Sequence, residues 1–189
     1  MSIESPQYKI IRKEKSFELR RYAPFITAEV KVSAADYNDA ANRGFSPLAN
    51  FIFGNNIAKQ KISMTAPVTA TPSPEKIAMT TPVTVSGEDV YTVAFTMPHK
   101  YTLETLPEPV DKSISFNENP EKAMAVIRFS GLFNQKSFIK RIAQLRNWIK
   151  MNGFKEAGDP LIAGYDPPFT PWFLKHNEVM IEIRNYVIK

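Results

Sequence analysis

Cysteine is absent from the 189-residue chain. That excludes disulfides, thiolate metal sites and a cysteine nucleophile. Histidine is almost absent too: there are two, His99 and His176, and neither has a partner at metal-ligand spacing. Each reads first as a surface or structural histidine, with a haem ligand or proton carrier as the alternative. No apolar run approaches the roughly 20 residues that span a bilayer. The opening MSIESPQYKIIRKEK carries charges where a signal peptide needs apolar residues. Together these features predict a cytoplasmic protein without a membrane span. No G-x-S-x-G, H-E-x-x-H, P-loop or dinucleotide fingerprint occurs.

What is present begins with a core. Hydrophobic residues make up 43% of the chain, and Phe, with 13 copies, is the commonest aromatic. The length suits one domain over residues 1–189. The net charge is +5, with basic residues concentrated at Lys9–Arg21 and at Lys136–Lys150. These clusters read as solvated faces, or as a guide for an anionic ligand. Nucleic acid is not expected, because no recognition motif accompanies the charge.

The chain also repeats itself. KISMTAPVTA (Lys61–Ala70) returns fifteen positions later as KIAMTTPVTV (Lys76–Val85). Apolar residues alternate in both copies, which is the period of a strand. An antiparallel hairpin would set Val68 opposite Ile77, Ala66 opposite Met79 and Met64 opposite Thr81, with both methionines facing the core. Further strands are expected over Ser16–Val32 in two pieces, Asp89–Thr96, Glu121–Ser130 and Glu178–Val187. A helix is expected after Ser33, with Asp36 completing a capping box, running to Gly54 and broken or kinked at Pro47. A second is expected from Asn134 to Gly153, with Phe138, Ile142, Leu145 and Ile149 on one stripe. Strands, helix and strands therefore occur twice, with a join near Leu106–Lys112. This predicts an α+β fold of two similar halves, about 8–105 and 113–187. Glu178 reads as an exposed strand-end charge, or as a candidate acid or base beside His176 and Asn177.

Five motifs occur in order along the chain: FELRRY (Phe17–Tyr22), KISMTAPV (Lys61–Val68), FTMP (Phe95–Pro98), AGYDPP (Ala163–Pro168) and NEV (Asn177–Val179). In this set and order the chain resembles the SOUL haem-binding protein family. The resemblance implies a duplicated α+β fold, a distorted barrel-like antiparallel sheet with two main helices, similar to the small-molecule domains of the GyrI-like group. It also implies binding of haem or a related tetrapyrrole as a small hydrophobic, anionic ligand. Some members carry a proposed haem-ligating histidine in the first motif; Arg21 holds that position here, so weak binding without histidine ligation or a metal site is expected. Others hold the porphyrin beside the first helix and the loop after AGYDPP. Carried over, that pattern implies Asn42, Phe45, Ala49 and Asn50 on the helix, and Phe169 and Thr170 on the loop. Arg43 would meet a ligand carboxylate at the rim, and Trp172 would extend the apolar wall. The alternative is an enzyme acting on a small hydrophobic molecule in the same groove, with Glu178 as acid or base.

Overall fold

The structure is a computed structural model, and it describes residues 4–58, 75–87, 89–132, 134–166 and 170–184. Its elements in chain order are β1 (Tyr8–Glu14), β2 (Phe17–Tyr22), β3 (Phe25–Ser33), α1 (Tyr37–Ile52), β4 (Asn56–Ile57), β5 (Val83–Gly87) and β6 (Val90–Thr96). They continue with β7 (Glu108–Pro109), β8 (Ile114–Asn119), β9 (Lys122–Phe129), α2 (Gln135–Met151), β10 (Lys155–Glu156) and β11 (Leu161–Gly164), then a 3-10 turn (Trp172–Leu174) and β12 (Asn177–Arg184). The large sheet is antiparallel and runs β1-β2-β9-β12-β11-β5-β6-β3-β8, with β10 on β12; β4 and β7 form a separate ribbon.

From β2 to β8, that order is symmetric about the β11–β5 seam. The succession β2-β3-α1-β5-β6 recurs as β8-β9-α2-β11-β12. The leading strand of each succession leaves its own half: β2 pairs with β9, and β8 pairs with β3.

Period-two alternation then divides the side chains between the two faces. Ala28, Val93, Phe95, Ile127 and Ile181 point to the face that carries both helices, where α1 adds Leu48, Phe51 and Ile52 and α2 adds Phe138, Leu145 and Ile149. Tyr22, Met124, Val126 and Met180 point the other way. Residues from β2 and from β8, far apart in the strand order, line one cavity on that second face. The sheet therefore curls away from its helices into a half-barrel, giving the expected α+β architecture.

Three expectations need correction. The N-cap of α1 is Asp36, whose carboxylate accepts the Asp39 N–H at 2.9 Å. Ser33 is instead the last residue of β3, held in the ladder opposite Val90. The helix is also not split at Pro47 but continues through it. Proline costs a helix about 3 kcal/mol, but Leu48, Phe51 and Ile52 beyond it are fully buried, and each such burial stabilises by about 1.5–3 kcal/mol. Third, in the second copy of the repeat Ile77 is buried but Met79 is 41% exposed. Residues 75–79 lie outside the strands; Ile77 N–H bonds Ile52 O at the end of α1, and Thr80 bridges Glu4. Lys61–Ala70, and so Met64 and the hairpin pairing, lie outside the described residues.

Candidate functional site: two concavities on opposite faces

The hollow of the half-barrel holds a pocket of about 330 Å³. Tyr22 and Glu178 line it, and a buried ion network built on alternate residues of FELRRY adjoins them. Glu18, Arg20 and Tyr22 share one face of β2 and all are buried, Arg20 completely. Arg20 has five N–H donors; four make hydrogen bonds, and Nη2 makes a further ion-pair contact. Nε donates to Glu18 Oε2 at 2.8 Å, and Nη1 to Tyr22 Oη at 3.0 Å and Glu178 Oε2 at 2.8 Å. Nη2 lies 2.7 Å from Glu178 Oε1 and 2.7 Å from Glu18 Oε2. The guanidinium also lies 4.3 Å from the Tyr8 ring centroid. Glu178, 1% exposed on its side chain, is equally occupied. Beyond Arg20 it accepts from Tyr165 Oη at 2.7 Å and contacts His176 Nε2 at 2.9 Å, with Arg128 Nε at 3.4 Å. The His176 ring stacks on Tyr165 at 4.3 Å.

This geometry sets the protonation. Burial alone would raise the Glu178 pKa, but hydrogen bonds from His176 and Arg20, and the charge of Arg20, outweigh it and hold the carboxyl down from 4.5 to about 2. Burial lifts the Tyr22 phenol to about 12, against the opposing pull of Arg20. Glu178 is therefore an ionised, saturated acceptor inside the sheet. It is not the exposed strand-end charge expected, and it has no vacant geometry for a substrate proton. The expectation failed because the partner Arg20 is 158 residues away in sequence. Arg20, expected on a solvated basic face, is instead the centre of this network.

The second concavity, about 420 Å³, lies between α1 and the segment linking β11 to β12, on the helix-bearing side. Asn38, Asn42 and Phe45 line it from the helix; Gly164, Asp166 and Lys175 line it from the other wall. Phe45 is 42% exposed and stands edge-on to the buried Phe95, at 5.4 Å. Asn38 Oδ1 is buried without a hydrogen-bond partner among the described residues. Asp166 accepts the backbone N–H of His176 and so braces this wall.

Of the residues expected to bind ligand, Asn42 and Phe45 line this groove. Ala49 is buried one turn on, and Asn50 is exposed beside it. Thr170 is half-buried, Trp172 is 59% exposed, and Phe169 lies outside the described residues. Arg43 turns to other partners: its Nε pairs with Asp39 at 2.7 Å, and Nη1 donates to Ser33 O at 3.2 Å. The cation on the groove wall is Lys175. Neither histidine lines the groove: His99 is held by Glu4, and His176 points into the opposite pocket. Glu178 also lies in that pocket, not in the groove where an enzymatic role was expected. Among the described residues no cluster of His, Cys, Asp and Glu is arranged to hold a metal, and no helix is long and apolar enough to cross a membrane.

Three of the five sequence motifs thus meet in one hydrogen-bonded network, Glu18, Arg20 and Tyr22 from FELRRY, Tyr165 from AGYDPP and Glu178 from NEV, and Thr96 from FTMP lines the adjoining pocket. A model of the family described as SOUL heme-binding protein matches residues 3–182. The chain belongs to the SOUL family. It is 25% identical to heme-binding protein 2 of Mus musculus over 96% of this chain and 90% of that protein. It is likewise 25% identical to heme-binding protein 1 of Xenopus laevis, over 93% and 94% of the two chains. Among solved structures, the EcmrR C-terminal domain superposes with a TM-score of 0.65 at 12% identity, covering 95% of this chain and 99% of that one. A hydrolase from Listeria innocua superposes with a TM-score of 0.59 at 9% identity, over 92% and 94%. These last two likenesses concern the fold alone.

What sequence reasoning missed is the polar wall of the pocket, including Thr27, Glu29, Asn117, Asn119 and Lys122. A signal existed in the charges at alternate positions of FELRRY. Alternation alone does not tell whether such a face meets water or another strand.

Proposed function

We propose that this SOUL-family protein binds haem or a related tetrapyrrole weakly, in the groove between α1 and the β11–β12 segment, without histidine ligation. The observation that carries the reading is the groove itself. It joins the apolar edge of α1 at Phe45 to a facing wall that supplies Lys175, and it contains an unpartnered acceptor, Asn38 Oδ1. An apolar slot with a few polar anchors suits a flat macrocycle carrying carboxylates. Lys175 takes the role expected of Arg43, and Trp172 extends the rim. Both histidines are engaged elsewhere, so the iron of an added haem receives no protein imidazole.

The test is a titration with metal-free porphyrin followed by amide chemical shifts. Shifts are expected at Asn38–Phe45 and at Gly164–Asn177, with Phe45→Asp weakening binding at least tenfold. His99→Ala and His176→Ala should leave the Soret band of added haem unchanged. Shifts confined to the basic residues of α2, Lys136 to Lys150, would mean non-specific adsorption and end the proposal.

A further inference from the structure

The pocket in the hollow of the sheet is physically distinct from the groove, although the same strand ends build both. On β5, Thr84 faces the pocket and Val83 the groove; on β12, Glu178 faces the pocket and Asn177 the groove. At the end of β11, Tyr165 and Gly164 divide in the same way. Alternation therefore sets two concavities back to back across three strands. A molecule filling one leaves the other empty.

We propose that the pocket is a second binding site, for a small aromatic monocarboxylate. The ligand ring lies against Tyr22, Phe25 and Met124, and its carboxylate meets Lys122.

The charges of the pocket select this ligand. The one buried carboxylate among its lining residues, Glu178, is closed to new partners, because both its oxygens are occupied. The polar wall is a hydrogen-bonded chain. Lys122 Nζ donates to Asn119 Oδ1 at 2.7 Å, Asn119 Nδ2 to Thr27 Oγ1 at 3.0 Å, and Thr27 Oγ1 to Glu29 Oε1 at 2.6 Å. Asn117 Nδ2 adds a second contact to Glu29 Oε1, at 3.3 Å. The anionic end of the chain thus already receives two donors. The cationic end makes one bond, which leaves two ammonium hydrogens, and no carboxylate lies within ion-pair distance of Lys122 among the described residues. Lys122 is also half-buried. Burial lowers its pKa by more than the distant Glu182 and Glu29 restore. A half-buried cation with spare donors is relieved by an arriving anion and disturbed by an arriving cation.

The apolar surroundings select the rest of the molecule. Lys122 Nζ lies 5.4 Å from the Phe25 ring centroid, so a carboxylate bound there has an aromatic surface beside it. Tyr22 and Phe25 tilt towards one another at 6.3 Å, and Met124 and Met180 add soft, polarisable walls. A volume of about 330 Å³ lies at the small end of ligand sites, which favours one or two fused rings over a macrocycle.

The experiment compares three probes of one shape on the full chain: 2-naphthoate, 2-naphthamide and 2-naphthylmethylammonium. Naphthoate should bind most tightly and shift the amides of Thr84, Ala94, Thr96, Met124 and Met180. Lys122→Met should weaken it at least tenfold. Ala94→Leu, which fills the pocket and leaves Lys122 in place, should do the same while porphyrin binding persists. Naphthoate should also move the titration of the Lys122 ε-ammonium to higher pH. The proposal is overturned if the ammonium probe binds as tightly as naphthoate, if Lys122→Met leaves binding unchanged, if the shifts fall at Asn42 and Phe45, or if no probe saturates. Because the porphyrin titration reads the groove separately, each site can fail without the other.

Discussion

Arg20 sits between two buried carboxylates, Glu18 and Glu178, and removing it leaves them, as a shared counter-charge, only the longer contacts of the partly exposed Arg128, at 3.7 and 3.4 Å. Breaking a buried ion pair from one side costs about 3–5 kcal/mol, so Arg20→Met should lower stability by that amount in urea denaturation. Lys13, 3.1 Å from Glu18 Oε1 and more than half exposed, cannot replace it. The same network sets an acid limit. The folded pKa of Glu178, about 2, lies below the unfolded value of 4.5. Its contribution is therefore fully present above pH 4.5 and is lost as pH falls towards 2. The difference corresponds to about 3 kcal/mol at about 1.36 kcal/mol per pH unit. Glu18, also held below the ordinary range, although burial opposes its hydrogen bonds from Arg20 and Lys13, acts in the same direction. Urea midpoints measured from pH 6 to pH 2.5 should fall steeply for the parent. Glu178→Gln, less stable at neutral pH, should fall less steeply. Parallel curves would mean that Glu178 ionises in the folded state as it does in the unfolded chain.

At the scale of elements, α1 approaches the sheet closely at Gly44. A Cβ built there would lie 2.5 Å from the Val93 Cβ on β6, closer than packed atoms come. Alanine would gain about 1 kcal/mol of helix propensity, but overpacking costs about 1–3 kcal/mol and outweighs that gain. Gly44→Ala should lower the melting temperature, and Val93→Ala added to it should recover much of the loss; a stabilised single variant would show that the helix shifts freely. Nothing in the sequence marks this glycine, since its neighbour is 49 positions away. What was legible was periodicity. Alternation marked β2, β3, β6, β9 and β12, and steps of three and four marked both helices. Missed strands lacked that signal: β1 interleaves Lys9, Arg12 and Lys13 with apolar residues as an edge, β8 is largely polar, and β11 has only four residues. In the candidate site, the groove-facing Asn42 and Phe45 were implied by the family resemblance. Lys122 and Glu29 were not, because neither stands out until curling brings β3, β8 and β9 around one hollow.

For the whole molecule, strand exchange makes the halves dependent on each other. We propose that the halves, about 8–105 and 113–187, fold only together. Cut between Val110 and Asp111, the first fragment keeps the β5-β6-β3 sheet with α1, but β2 loses its partner β9. The second keeps β9-β12-β11 with α2, but β8 loses β3. Each also exposes the seam edge, β5 in one and β11 in the other. The buried ion network would also be divided: Arg20 keeps Glu18 but loses Glu178, and Glu178 keeps only the partly exposed Arg128 and His176 as basic partners. An open edge, a bare apolar face and a divided ion network are each unfavourable, and a half-sized core offers little to offset them. Residues 1–110 and 111–189, expressed separately, should give poorly dispersed amide spectra and no cooperative melt. Mixed at equal concentration they should assemble, recover the intact chain's dispersion, and melt at a temperature that rises with concentration. A cooperative, native-like melt from either fragment alone would mean that the exchange of β2 and β8 is incidental and that the halves are separate folding units.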